Sequence, residues 1–154
     1  MRRSPLPFVL LSMALFSCTG TRPDTLGVQR DGRLAPCPGT PNCVSSDADP
    51  DDEEHYIDPL SFSGPAESAW AAALDAVRSH PRTEVVAEEE GWAHAESTSR
   101  VFRFVDDVEL HLRAEEGHIA IRSASRLGRS DLGVNRKRVE AVRARFRAAL
   151  DGSS

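Results

Sequence analysis

The stretch Val101-Phe102-Arg103-Phe104-Val105-Asp106-Asp107-Val108-Glu109-Leu110-His111-Leu112-Arg113-Ala114 decides the fold. Phe102, Phe104, Val108, Leu110 and Leu112 share one side, while Arg103, Asp107, Glu109, His111 and Arg113 share the other. Successive side chains of a strand point to opposite faces, so this alternation predicts a strand with one apolar and one polar face. Asp106 falls on the apolar side, and a bend or bulge at Asp106-Asp107 would turn it away. Glu115-Glu116-Gly117-His118 then turns the chain into a second run, Ile119 to Arg126, giving a hairpin. A symmetric turn pairs Ala114 with Ile119, Leu112 with Ile121 and Asp107 with Arg126, leaving Glu109 diagonal to Arg122 and Arg126. Opposite charges across a strand pair contribute roughly 0.2 to 1 kcal/mol, so the acidic and basic runs can satisfy each other without a ligand.

Working outward, Thr83 to Glu88 and Trp92 to Thr98 are further β-like runs around a turn at Glu89-Glu90-Gly91. Before them Trp70, Ala73, Leu74 and Val77 recur at helical spacing. Pro65 suits a first helical turn and Pro81 closes the segment, which predicts a helix over roughly 65–79. Beyond the hairpin, Val139, Val142, Phe146 and Leu150 mark a second helix, with Asn135 as its N-cap. The expected fold is α+β: a two-layer domain with an antiparallel sheet of about four strands and two helices, in the order α-β-β-β-β-α.

The chain begins with Arg2 and Arg3, an apolar run from Leu6 to Phe16, and the sequence Leu15-Phe16-Ser17-Cys18. A positive start, a short apolar run and small residues at a cleavage point form a secretory signal. The run falls well short of the roughly 20 residues that span a bilayer. Its last four residues resemble the lipobox of bacterial lipoproteins, whose cysteine is acylated and becomes the mature N-terminus. The resemblance implies a signal peptide over 1–17, a triacylated Cys18, a lipidated tether over 18–35 and one domain over 36–150. Thr19 is not the aspartate associated with inner-membrane retention, so the implied address is the outer membrane, facing the periplasm.

The 154 residues carry a net charge of −5, which becomes −7 once Arg2 and Arg3 are removed. Such a field disfavours nucleic acid as a partner. The charge is uneven. Asp47, Asp49, Asp51, Asp52, Glu53 and Glu54 form an acidic run expected to stay solvated, whereas residues 118–147 hold nine Arg or Lys against Asp131 and Glu140. With Cys18 lipidated, Cys37 and Cys43 remain, and an exported protein favours a disulfide between them. In the chain-entropy model so short a loop contributes on the order of 2 kcal/mol. Redox-active thiols and a metal site are the alternatives. The first would more often have two intervening residues, and the second needs further Cys or His at zinc spacing.

Three sets of residues carry a resemblance that covers about residues 26–150. They are Cys37-Pro38 with Pro41-Asn42-Cys43-Val44-Ser45-Ser46; Asp106-Asp107-Val108-Glu109; and Arg122-Ser123-Ala124-Ser125-Arg126-Leu127-Gly128-Arg129-Ser130-Asp131-Leu132-Gly133-Val134-Asn135-Arg136. Together they resemble the bacterial and plastid family known as domain of unknown function 1499, with Arg129 standing where many members carry an aromatic residue. The resemblance implies an α+β envelope domain, often membrane-attached, and brings no catalytic residues.

From the residues themselves, Arg122, Arg126 and Arg138 with Ser123, Ser125 and Ser130 form a candidate anion site, since guanidinium forks match carboxylate and phosphate geometry. Asp106, Asp107 and Glu109 form a candidate acidic cluster. It lacks the spacing and central glycine of a calcium loop, so no metal is expected. No nucleophile elbow, phosphate loop or zinc-protease motif occurs, and no cofactor is implied. The leading expectation is a non-enzymatic envelope lipoprotein. Its expected partners are the membrane, through Cys18, and an anionic ligand or an envelope protein. The alternative is a small hydrolase or transferase using Asp107, Glu109 and His111 on the polar sheet face, near His94 and Glu96.

Overall fold

The computed structural model describes residues 20–152. Cys18, the signal peptide and the lipobox lie outside the described residues. The elements are β1 (Cys43–Ser45), β2 (Leu60–Ser61), α1 (Ala66–Arg78), β3 (Thr83–Glu89), β4 (Trp92–Thr98), β5 (Val105–Arg113), β6 (His118–Ser125) and α2 (Val134–Asp151), with a 3-10 turn at Ala114–Glu116. The four long strands form an antiparallel meander, and the sheet order is β1-β6-β5-β4-β3, with β2 also on β6. The fold is α+β, as expected, but the sheet has six strands rather than about four. β1 and β2 share the outer edge of β6, where Cys43–Ser45 meet residues 122–124 and Leu60–Ser61 meet residues 118–119.

Both helices lie on one face of the sheet and bury the apolar side of the meander. Leu60, Leu74, Val77, Val108, Leu110, Ile119, Ile121, Val139, Val142 and Phe146 form the core. Helix α1 buries mostly alanine, at positions 69, 73 and 76, a good helix former whose small side chain permits close approach to its neighbour. Helix α2 is not capped by Asn135. Its N-cap is Gly133, in the left-handed region at φ 76°. The carboxylate of Asp131 accepts from the backbone N–H of Gly133 (2.9 Å) and of Asn135 (2.8 Å). The side chain of Asn135 is instead fully buried beneath the sheet's end.

The decisive strand differs from expectation in three respects. It begins at Val105, not Val101, and Phe102 and Phe104 are exposed, with their rings stacked 5.5 Å apart. No bulge lies at Asp106-Asp107, because β5 keeps continuous register with both neighbours, and the irregularity falls at Val85/Ala87 of β3. Asp106 therefore stays on the helix side. The hairpin register is also tighter than a symmetric turn gives: Leu112 pairs with Ile119, not Ile121, and Asp107 with Ala124, not Arg126. The 3-10 turn and Gly117, at φ 67°, take up the difference. A two-residue slip leaves every side chain on its predicted face, so the face assignment survives the error.

The acidic run is only partly solvated. Asp47 is nearly buried and pairs with Arg113 at 2.6 Å, and Asp52 accepts from His55 at 2.8 Å. Residues 20–35 form neither helix nor strand, as their lack of periodicity predicts, yet they lie along the outer face of the sheet. Arg113 reaches the carbonyl of Gly32, the N–H of Gly27 donates to Glu109, and Arg22 pairs with Glu96. Leu34 and Ala35 are buried. The polar face is thus covered by a strap running along the strands.

Candidate functional site

The outer face is a ladder of opposite charges. His94, Glu109 and Arg122 stand in one cross-strand row, and Glu96, Asp107 and Ala124 in the next. Asp107, 1% exposed, meets Nε2 of His94 at 2.7 Å and accepts from Nε (2.9 Å) and Nη2 (2.6 Å) of Arg126. Arg126 Nη2 also donates to Glu96 at 2.6 Å, and Arg22 adds a bond to the same carboxylate. Glu109, fully buried, accepts from Gly27 N–H at 2.7 Å and from Arg122 at 3.2 Å. Burial alone would raise Asp107, but the hydrogen bonds from His94 and Arg126 outweigh it and hold the carboxyl below its ordinary value. Burial is likewise outweighed at Glu96 by Arg126 and Arg22. His94, Glu96 and Asp107 lie close enough together to hold a metal ion. The guanidinium of Arg126 already bonds both carboxylates, so a cation would have to displace it.

A second network occupies the helix side at the end of the same strands. Arg138 of α2 donates to Asp106 at 2.6 Å and to Ser123 at 2.9 Å. Asn135 accepts from Ser123 at 2.6 Å and donates to Ser125 Oγ (2.9 Å) and to the carbonyl of Asn42 (3.0 Å). The pair Asp106–Arg138 resolves the sequence paradox: the inward aspartate is met by an arginine from a helix 32 residues away.

The residues expected to share one anion site are divided between two faces. Arg122 and Arg126 belong to the outer ladder, Ser123, Ser125 and Arg138 to the helix side, and Ser130 is exposed in the loop before α2. The acidic cluster divides the same way, Asp106 inward and Asp107 with Glu109 outward. Asp107, Glu109 and His111 do not converge, since two of the three are bonded within the ladder and His111 stands across from Trp92. The Cys37–Cys43 disulfide is formed, with the Cα atoms 5.6 Å apart. It locks the turn leading into β1.

Of the expected anion-binding residues, Arg138 borders a pocket. A cavity of about 330 Å³ lies between the turn after α1, the end of β4 and the start of α2, lined by His80, Arg82, Arg100, Lys137 and Arg138 with Ser97, Thr98 and Ser99. Four permanent cations and three hydroxyls line it, and no carboxylate does. Nε of Arg138 and Nδ1 of His80 are buried without a hydrogen-bond partner. Burial, and then the charges of Arg138, Arg145 and Arg82, lower the pKa of His80. Sequence reasoning missed His80, Arg82, Arg100 and Lys137. His80 and Arg82 sit in the turn after α1, Arg100 in the loop after β4 and Lys137 in α2, and no spacing links the three places.

The molecule so described is an α+β domain with helices on one face of an antiparallel sheet and a strap on the other. Residues 33–146 match the family described as protein of unknown function (DUF1499), and the chain belongs to that family. No curated protein and no solved structure matches the chain.

Proposed function

We propose that this chain is a lipid-anchored envelope protein, held by Cys18 at the outer membrane and facing the periplasm, whose domain binds an anionic group without catalysing a reaction on it. The reading rests on the pocket at Arg138, which four cationic and three hydroxyl-bearing residues line and no carboxylate does. Charge-assisted hydrogen bonds are the strong ones, and guanidinium suits phosphate or carboxylate. The cavity lies at the small end of ligand-pocket sizes, of order 300 Å³, which fits a headgroup or sugar acid rather than a polymer. The non-enzymatic part rests on the ladder. Both carboxylates of the expected catalytic set, Asp107 and Glu109, are bonded to a cation, and Glu109 to a backbone N–H as well.

The test is titration with inorganic phosphate, followed by the His80 ring resonances. Binding should raise the pKa of His80, because an anion offsets the surrounding cations. Lys137→Ala should weaken phosphate by about tenfold, the loss of one charge-assisted contact. Unmoved His80 resonances at millimolar phosphate would reject the pocket. Lipidation has a separate test. Cys18→Ala should leave the detergent phase, since stable anchoring needs more than one chain. An unmodified Cys18 in mass spectra of the envelope protein would reject the anchor.

A further inference from the structure

Three loops close one end of the sheet: 79–82 before β3, 99–104 between β4 and β5, and 126–133 before α2. Backbone hydrogen bonds tie them together, from Thr98 to Arg82, from Ser99 to Phe104 and from Arg126 to Val105. The apolar side chains at this end face water. Leu132 is 87% exposed, Val101 77% and Phe102 70%, and Val134 is also exposed. Grouped apolar exposure of this kind marks an interaction surface.

The backbone adds an independent observation. Among the described residues, the non-glycine positions with positive φ are Arg82 (56°), Arg103 (54°) and Leu132 (54°), one in each loop. Left-handed backbone is unfavourable for side chains with a Cβ, and such strain collects at functional sites. Leu132 is therefore strained and solvated at once.

Charge points the same way. Arg82, Arg100, Arg103 and Arg129 are exposed in these loops, and the acid there, Asp131, is engaged in capping α2. The opposite end of the sheet carries Glu88 and Glu89 at the end of β3 and Glu90, Glu115 and Glu116 in its turns, with Arg33 beside the last two. An acidic domain thus presents one basic, apolar end.

The strap leads to that end. Followed backwards, it passes Arg113 at Gly32, Glu109 at Gly27 and Glu96 at Arg22. At Gly20 it reaches the basic end, where an added Cβ would lie 2.8 Å from Cβ of Arg126 and 3.0 Å from Leu127. Cys18 is two residues further.

We propose that this end docks on an anionic phospholipid bilayer, with Val101, Phe102, Leu132 and Val134 entering the interface and the arginines meeting headgroups. Apolar side chains at the acyl boundary flanked by arginine are the pattern of interfacial binding. The orientation rests on the lipid-anchor reading, since Gly20, two residues along the chain from Cys18, lies at these loops. The surface itself does not depend on it.

The experiment uses the mature chain carrying Cys18→Ser, so that no acyl chain contributes. It is sedimented with vesicles of phosphatidylglycerol and phosphatidylethanolamine, and with vesicles of phosphatidylcholine. Binding is expected on the anionic vesicles, with release at high salt, and little on the neutral ones. Phe102→Ser and Leu132→Gly should each weaken binding about tenfold, the loss of one buried large apolar side chain. Leu132→Gly should also melt no lower than the parent, because glycine accepts the left-handed backbone, so its loss of binding is not misfolding. Phe102→Trp should shift its emission to the blue and be quenched by brominated lipid. Absent binding to the anionic vesicles, or binding indifferent to both substitutions, overturns the proposal. So does concentration-dependent dimerisation abolished by the same two changes, which would assign the surface to a second copy. Phosphate that moves His80 while no vesicle binding occurs rejects the docking surface and leaves the pocket standing. An unacylated Cys18 with vesicle binding intact rejects the anchor alone.

Discussion

Removing Arg126 should be among the costliest single changes in the outer ladder. Its guanidinium makes two bonds to Asp107 and one to Glu96, and its side chain is 5% exposed. Arg126→Ala leaves Asp107 buried with His94 as its remaining partner. Breaking a buried pair from one side costs about 3 to 5 kcal/mol, chiefly from the uncompensated charge. For a domain of this size, that corresponds to a fall in melting temperature of about 10–20 °C. Asp107→Asn removes the charge, keeps the shape and retains an acceptor. It strands Arg126 less severely, because Glu96 remains. The double variant should be more stable than the summed single losses imply, with a coupling of about 2 kcal/mol, inside the range for groups in one network. Chemical denaturation of the four proteins at neutral pH measures the cycle. Losses that add to within about 0.5 kcal/mol would refute the reasoning: Arg126 would then be no structural counter-ion, and the ladder would be free to serve a ligand.

Asp107 and Glu96 are both held below their ordinary values, 3.8 and 4.5, against the effect of burial, Asp107 by His94 and Arg126 and Glu96 by Arg126 and Arg22. Their stabilising contribution is therefore full above those unfolded-state values and is lost as pH falls through the lower folded-state ones, so acid melts should steepen below about pH 4, and less so in the Asp107→Asn variant. Replacing Cys37 and Cys43 together with serine should cost on the order of 2 kcal/mol in denaturant midpoints, with the reduced parent behaving the same way. Asp131→Ala should cost about 1 kcal/mol through the lost cap of α2, seen in thermal melts and as faster amide exchange in its first turn.

Periodicity carried the long elements. The spacing of Trp70, Ala73, Leu74 and Val77 marked α1 to within a residue at each end, and the alternation of Val108, Leu110 and Leu112 fixed which side of β5 meets the helices. β1 and β2 escaped because three- and two-residue strands are too short for a period to register. Their pairing is set by the edge of β6, which a local reading does not contain. The strap escaped for a related reason. Gly27 gives its backbone hydrogen to a distant carboxylate rather than to a ladder, so nothing repeats. Phe102 and Phe104 misled in the other direction: they alternate correctly but belong to a loop, where their rings stack on each other and stay exposed. The paired acidic and basic motifs were legible as partners, but the face of each member was not used to divide them. Asp106 with Arg138 and Asp107 with Arg126 are separate networks on opposite sides of one strand.

That division bears on what the charges are for. A buried ion pair is weak support for net stability, since apolar replacements of the same shape often do as well. Adjacent aspartates facing opposite ways do something an apolar pair does not. Asp106 accepts only a layer that brings an arginine at the start of α2, and Asp107 with Glu109 only one that brings donors beneath the strap. β5 thereby specifies which layer covers which face. With those carboxylates consumed in assembly, several of the remaining cations lie at one end: Arg82, Arg100 and Lys137 line the pocket beside Arg138, and Arg103 and Arg129 are exposed in the loops. An acidic domain that spends its buried acids on architecture thus carries exposed Arg82, Arg100, Arg103 and Arg129, with Leu132 and Phe102, in the loops at one end of its sheet.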